Sequence, residues 1–278
     1  MKDNSLELID LDAVVKEKAP GIYNKLPKFV LSYLKKKIHQ DELNEILTIY
    51  ADKDGVDFMS SVIGYFKLNL KVIGLDKIDK NGRYIFASNH PLGGLDGICL
   101  SAIVGERFDK KIKYPVNDFL LYIRNLRSIF IPINKHGSQS KDAANQMNEA
   151  FESDNQIITF PAGLCSRKIN GKIVDLEWKK MFIQKAVETK RDVIPVYFQA
   201  ANSNFFYRFA NIRKALGIKF NVEMVFLPDE MFKNKGKTFV VIFGEPIPWQ
   251  TFDKSKSQKE WAQTVKSTAY ALSREVKK

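Results

Sequence analysis

Phe86-Ala87-Ser88-Asn89-His90-Pro91-Leu92-Gly93-Gly94-Leu95-Asp96-Gly97 joins two apolar runs of different kinds. Before it, Arg83-Tyr84-Ile85-Phe86-Ala87 reads as a short buried strand. After it, Ile98-Cys99-Leu100-Ser101-Ala102-Ile103-Val104 is long enough to begin a buried helix. A strand, a Gly-rich turn and a helix in that order present His90 and Asp96 at a strand's C-terminal edge. That is where α/β sheets tend to put their chemistry.

An imidazole that titrates near neutrality can take a proton from a hydroxyl, and a carboxylate can fix its tautomer and stabilise the imidazolium. Of the three histidines, His39, His90 and His136, only His90 has a carboxylate following it across a glycine turn. On spacing alone two readings stand. One is an acid–base pair; the other is a pair of turn and helix-cap residues around a structural histidine.

The rest of the chain repeats the α/β texture. Up to about Leu75 the sequence reads as helical, broken at Ala19-Pro20-Gly21, with helices over Pro27–Gln40, Asp41–Ile49 and Asp57–Leu70. From there short strands alternate with helices: strands at Lys71–Leu75, Tyr84–Ala87, Lys113–Asn117, Ser128–Ile133, Gln156–Phe160 and Asp192–Phe198. Helices are expected at Phe119–Ile123, Ser140–Ser153 and Trp178–Thr189, further strands at Phe220–Phe226 and Thr238–Phe243, and a last helix at Lys259–Lys277. The expectation is an α/β fold: a largely parallel central sheet flanked by helices, with an N-terminal helical portion. Residues 1–70 form that portion and 71–278 the α/β core, together one structural domain.

Composition narrows the function. Forty-four Lys and Arg against 32 Asp and Glu give a net charge of +12, which favours anionic lipid, an acidic carrier protein or nucleic acid. No nucleic-acid recognition motif accompanies the charge, so nucleic acid is not expected as a partner. Cys99 and Cys165 are the only cysteines, without a zinc pattern, and suit a reducing cytoplasm. The N-terminus has no signal-peptide pattern, and no apolar run reaches the roughly 18 residues of a spanning helix. Any contact with a membrane is therefore from one side. Lys25, Lys28, Lys35, Lys36 and Lys37 beside Leu26, Phe29, Val30, Leu34 and Ile38 fit either an interfacial helix or an ordinary surface helix.

Phe160-Pro161-Ala162-Gly163-Leu164-Cys165-Ser166-Arg167-Lys168 is the second informative stretch. A strand, Pro, Gly and then Ser-Arg-Lys make a turn whose backbone N–H groups and two cations can hold a phosphate or carboxylate. Cys165 is discounted as a nucleophile, because no histidine is near it in sequence and a neighbouring Arg is weak activation.

Taken together these stretches resemble the glycerolipid (lysophosphatidic acid-type) acyltransferase superfamily. Asn89-His90-Pro91-Leu92-Gly93-Gly94-Leu95-Asp96 is similar to its first block, and Ile129-Phe130-Ile131-Pro132-Ile133-Asn134-Lys135 to its second. Phe160-Pro161-Ala162-Gly163-Leu164-Cys165-Ser166 resembles its third, Phe-Pro-Glu-Gly-x-x-Ser, and Val193-Ile194-Pro195-Val196 its fourth. The four come in the family's order. Two departures, His-x5-Asp for His-x4-Asp and Ala162 for the usual Glu, look like a haemolysin-like subgroup related to aminolipid O-acyltransferases. The missing Glu argues against a glycerol-3-phosphate-type acceptor.

The resemblance implies a peripheral enzyme on the inner face of the cytoplasmic membrane, with no metal and no cofactor. It would move an acyl chain from acyl carrier protein or CoA to a lysolipid hydroxyl, with anionic membrane lipids as partners. His90 would act as base and Asp96 as its orienting carboxylate. The substrate-binding set is Asn89, Gly93, Gly94, Lys135, Pro161, Gly163, Ser166, Arg167 and Lys168, with Arg167, Lys168 and Lys135 on an anionic headgroup. The preferred acceptor is an N-acyl amino acid lipid. The alternatives are 1-acylglycerol-3-phosphate and, from another class, non-catalytic lipid binding on the same fold.

Overall fold

In the computed structural model the described residues are 8–18, 20–117, 123–133 and 141–277. The strands are β1 (Asn69–Ile73), β2 (Tyr84–Ser88), β3 (Ile112–Asn117), β4 (Phe130–Ile133), β5 (Gln156–Thr159), β6 (Arg167–Ile169), β7 (Lys172–Val174), β8 (Asp192–Gln199) and β9 (Thr238–Phe243). Seven of them form one sheet in the order β1-β9-β8-β2-β5-β3-β4; β6 and β7 make a separate hairpin. The pairs of β2 with β8 and β5, and of β3 with β5 and β4, are all parallel. β9 runs antiparallel to β8 and parallel to β1, so that edge is reversed. The fold is α/β with a largely parallel sheet.

The helices are α1 (Leu11–Lys18), α2 (Pro20–Tyr23), α3 (Lys28–Lys37), α4 (Gln40–Ile49), α5 (Gly55–Tyr65) and α6 (Leu95–Arg107), followed by α7 (Lys141–Glu152), α8 (Met181–Thr189), α9 (Asn204–Ala215), α10 (Leu227–Phe232) and α11 (Gln258–Ala271). Period-two alternation divides the central strands between two apolar layers. Phe86, Ile158 and Ile194 face a layer completed by α5 and α6. Ile85, Ile157 and Val193 face the layer of α8 and α11. Strands buried on both faces need near-continuous hydrophobic runs, as β2 and β5 have. Phe86 is fully buried, and its loss to Ala would cost about 3–5 kcal/mol.

The N-terminal helices join the same core: Ile46, Leu47, Phe58 and Val62 pack in the layer that holds Phe86. The helix expected over Pro27–Gln40 is cut short, because His39 adopts the left-handed conformation at φ 53° and restarts the chain as α4. Among the described residues no helix is long and apolar enough to cross a membrane.

Two differences from the sequence reading concern the second half. Phe220–Phe226 is no strand: Val222–Phe226 forms a 3-10 helix that runs into α10, because Pro228 sits in the first turn of that helix. The β6–β7 hairpin lies outside the strands expected above, although Asn170-Gly171 signals it. Both residues have positive φ, 49° and 78°, as a type I′ turn requires. The short helix expected at Phe119–Ile123 falls almost wholly on residues outside those described.

Candidate active site

β2 ends inside the sheet, so the residues that follow it start from a fixed frame. Asn89 is buried and behaves as an extra strand residue. Its Oδ1 accepts the Phe198 N–H at 2.6 Å, and its amide donates to the Phe198 carbonyl at 3.0 Å. Both bonds tie the end of β2 to the end of β8. Losing them would strand buried backbone groups at a cost of about 1–3 kcal/mol each.

His90 comes next. Its ring stacks on Phe160 with centroids 4.1 Å apart, and its Nδ1 lies 3.0 Å from Asp96 Oδ2. Asp96 is fully buried in the first turn of α6. The same Oδ2 accepts the Leu92 N–H at 2.9 Å and the Gly93 N–H at 3.3 Å, while Oδ1 accepts the Gly97 N–H at 2.9 Å. Three backbone N–H groups thus point at the two Asp96 oxygens, which act as acceptors. His90 must then donate from Nδ1. That leaves Nε2 as the unprotonated, basic nitrogen. The imidazole keeps 13% of its surface open, enough for a substrate to reach it, whereas Asp96 keeps none.

The two glycines of this turn differ. Gly93 has φ +79°, and a Cβ there would stand 2.8 Å from Leu227 Cδ1 and 3.0 Å from Cys165 Cβ. At Gly94 a Cβ would meet nothing, so this side of the turn opens toward space.

The Phe160–Lys168 turn lies against the first. The Ser166 N–H donates to the His90 carbonyl at 2.8 Å. Asp175 clamps the two turns: its Oδ1 accepts the His90 N–H at 3.2 Å and the Ser166 hydroxyl at 2.5 Å. Its Oδ2 accepts the Trp178 indole N–H at 2.8 Å, and its own N–H donates to the Tyr270 hydroxyl at 2.7 Å. The Pro161 carbonyl accepts the Lys179 N–H at 2.9 Å. Gly163, at φ +68°, leaves room for the Lys179 ammonium, which would stand 3.3 Å from a Cβ.

Arg167 is turned inward. Its guanidinium donates to the Cys165 carbonyl at 2.8 Å and to Glu223 Oε1 at 2.8 Å. Arg213 Nε lies 2.7 Å from the other oxygen of the fully buried Glu223. Glu223 thus lies between two guanidinium groups beneath the turn. Lys168 reaches Asn204 at 3.3 Å. Burial pushes the Cys165 thiol up to about 11 despite the opposing pull of Arg167, so it stays protonated and unreactive near neutrality.

The structure thus brings Asn89, His90, Gly93, Gly94, Asp96, Pro161, Gly163 and Ser166 together. It sets Arg167 and Lys168 on β6 toward α9. Lys135, with Asn134, lies outside the described residues. Nothing in the sequence marks Asp175, Glu223 or Lys179, since none sits in a recognisable spacing with His90. Among the described residues no three His, Cys, Asp or Glu side chains gather to hold a metal ion.

A His–Asp pair with a free Nε2 on a parallel-sheet edge is the arrangement of a general base, and the family comparison says for what. A family model described as Acyltransferase matches residues 13–277. The chain belongs to this acyltransferase family. It is 54% identical over 272 residues to the lyso-glycine lipid O-acyltransferase of Bacteroides thetaiotaomicron, covering 98% of this chain and 100% of that one. It is 50% identical over 272 residues to the lyso-glycine lipid O-acyltransferase of Phocaeicola vulgatus, covering 98% of each. A solved structure with some likeness is the 1-acyl-sn-glycerophosphate acyltransferase PlsC from Thermotoga maritima, at TM-score 0.48 and 17% identity over 78% of each chain. The acyltransferase carries Ala162 buried in the layer of α8 and α11, so this position of the turn presents no polar side chain.

Proposed function

We propose that this acyltransferase moves a fatty acyl chain from acyl carrier protein or CoA to the hydroxyl of a lysolipid at the inner face of the cytoplasmic membrane. The acceptor is an N-acyl amino acid lipid of the glycine-lipid type. The observation that carries the chemistry is Asp96 bonded to His90 Nδ1, with Nε2 left as base.

His90 Nε2 takes the proton of the acceptor hydroxyl, and the oxygen attacks the thioester carbonyl. The tetrahedral intermediate collapses by breaking the C–S bond. The thiolate leaves and takes the proton back from His90, giving an ester and a free thiol. Asp96 stabilises the imidazolium between these steps without itself taking the proton. Phe160 and Asn89 hold the ring and its backbone in place, so the base needs no reorganisation.

The acceptor class rests on the two full-length relatives and on the charge around the turn. A glycine acylated on nitrogen keeps a carboxylate, and Lys179 and Lys168 supply a favourable field for it. The net charge of +12 likewise favours an anionic membrane and an acidic carrier.

Lipid mass spectrometry of cells expressing the chain, beside His90→Ala, tests the reading with lyso-aminolipid and lysophosphatidic acid both supplied. A diacylated aminolipid that disappears in His90→Ala is the expected result. A rise in phosphatidic acid alone would replace the acceptor. No change in either lipid would overturn the proposal.

A further inference from the structure

The excursion between β8 and β9 carries apolar side chains that the protein itself does not cover. α9 has two apolar faces. Phe206, Tyr207 and Ala210 are buried against the core. Phe205, Phe209, Ile212 and Leu216 recur at i, i+4, i+7 and i+11, the spacing of a second stripe. Of these Phe205 is 51% exposed, Ile212 56% and Leu216 70%; Phe220, in the loop beyond, is 82% exposed. An exposed run of this size on one face marks an interaction site rather than chance.

The loop is held, not loose. Arg213 donates to the Ile218 carbonyl at 2.6 Å and to Asn221 Oδ1 at 3.1 Å. Along this segment the charge has one sign. Arg208, Lys214 and Lys219 are exposed, and no Asp or Glu occurs from Val193 to Val222. The first acid, Glu223, is buried between Arg167 and Arg213. α3, with Phe29 and Tyr33 exposed, lies against the 3-10 helix Val222–Phe226.

We infer that this face, centred on α9 and the loop to Phe220, is the surface by which the enzyme docks on an anionic bilayer. Bare Phe and Leu side chains enter the acyl boundary, and the flanking cations meet the headgroups. A second copy of the chain fits poorly, because a two-fold contact would set cations on cations. The inference rests on the lysolipid reading and gives it a route. Leu227 lies over Gly93, Met224 Sδ is 3.9 Å from Cys165 Sγ, and Glu223 pairs with Arg167, so the docking excursion roofs the catalytic turn. A lysolipid leaving the bilayer there would arrive beside His90.

The test is flotation of the purified full chain with phosphatidylcholine vesicles, with and without phosphatidylglycerol. The parent should float only with phosphatidylglycerol. Leu216→Asp/Phe220→Asp should lose at least tenfold in partitioning, with thermal melting unchanged because both sites are exposed. Val187→Asp, exposed on α8 in the layer shared with α11, should float as the parent does. The inference is overturned if the double variant floats like the parent, if the parent does not float, or if sedimentation shows a dimer that Phe220→Asp splits. It is likewise overturned if the double variant floats normally but no longer binds acyl carrier protein. Acyl transfer to detergent-dispersed acceptor is read in parallel. Transfer without flotation sinks the docking surface alone; flotation without transfer sinks the catalytic reading alone.

Discussion

The two turns that meet at the sheet edge are built from similar residues and do opposite work. In Asn89–Asp96 the hydrogen bonds converge on one carboxylate and leave one imidazole nitrogen unused. In Phe160–Lys168 the polar side chains are consumed internally: Ser166 on Asp175, Arg167 on Cys165 and Glu223. One turn presents chemistry; the other holds it at the right height. A motif residue can therefore matter to a reaction without touching the reactants.

The largest expected effect breaks the comparison at its reactive end. His90→Ala should lower the acyl-transfer rate per folded molecule about a thousandfold, the usual worth of a positioned base. On the scaffolding side the sign reverses. Arg167→Met leaves Glu223 a weaker partner set in a buried site and should cost about 3–5 kcal/mol, lowering the melting temperature by about 10 °C. Its rate per folded molecule should stay within about tenfold, roughly 1.4 kcal/mol, of the parent.

Asp175 sharpens the contrast, because it touches both turns. Asp175→Asn keeps the shape but places an amide where Oδ1 and Oδ2 accept from His90, Ser166 and Trp178. One donor of the three loses its acceptor, at about 1–3 kcal/mol. As a positioning residue it should lower kcat at nearly unchanged KM, and the pH profile of kcat should keep its shape.

The glycine pair gives a smaller effect. Gly93→Ala forces a side chain at φ +79° into Leu227 and should cost about 1–2 kcal/mol by denaturant melting. Gly94→Ala meets open space and should cost less. The smallest effect is at Cys165. Cys165→Ser should leave neutral-pH activity within about twofold, since the thiol is protonated there and takes no part. The sign of its linkage follows from a folded value raised above 9 to about 11. The thiol's contribution to stability is complete below pH 9 and is lost as the pH climbs through 11. Parent melting should therefore fall over that window more steeply than that of the serine variant.

What the chain discloses by itself follows from range. β2, the glycine turn and α6 are contiguous, so the apolar runs and the His90–Asp96 spacing disclose strand, turn and pair at once. Asp175 meets His90 from 85 residues away, and Glu223 meets Arg167 from 56. No local pattern marks such partners; only the folded sheet makes them neighbours. The reversal of β9 is equally silent, because an apolar run such as Thr238–Phe243 has no direction in its composition. Phe220–Phe226 misleads for a different reason. Its aromatic and β-branched residues look like strand material, yet Phe220 and Val222 are exposed and the backbone coils into α10. The hairpin after Arg167, by contrast, had its signal in plain view at Asn170-Gly171.

The division of labour between the turns is tested most directly by measuring kcat and melting temperature together for His90→Ala and Arg167→Met in purified enzyme. The account predicts that His90→Ala loses transfer about a thousandfold per folded molecule, while Arg167→Met melts lower and keeps most of its turnover. An Arg167→Met enzyme with parental melting and lost turnover, or a His90→Ala enzyme that still transfers, would contradict it.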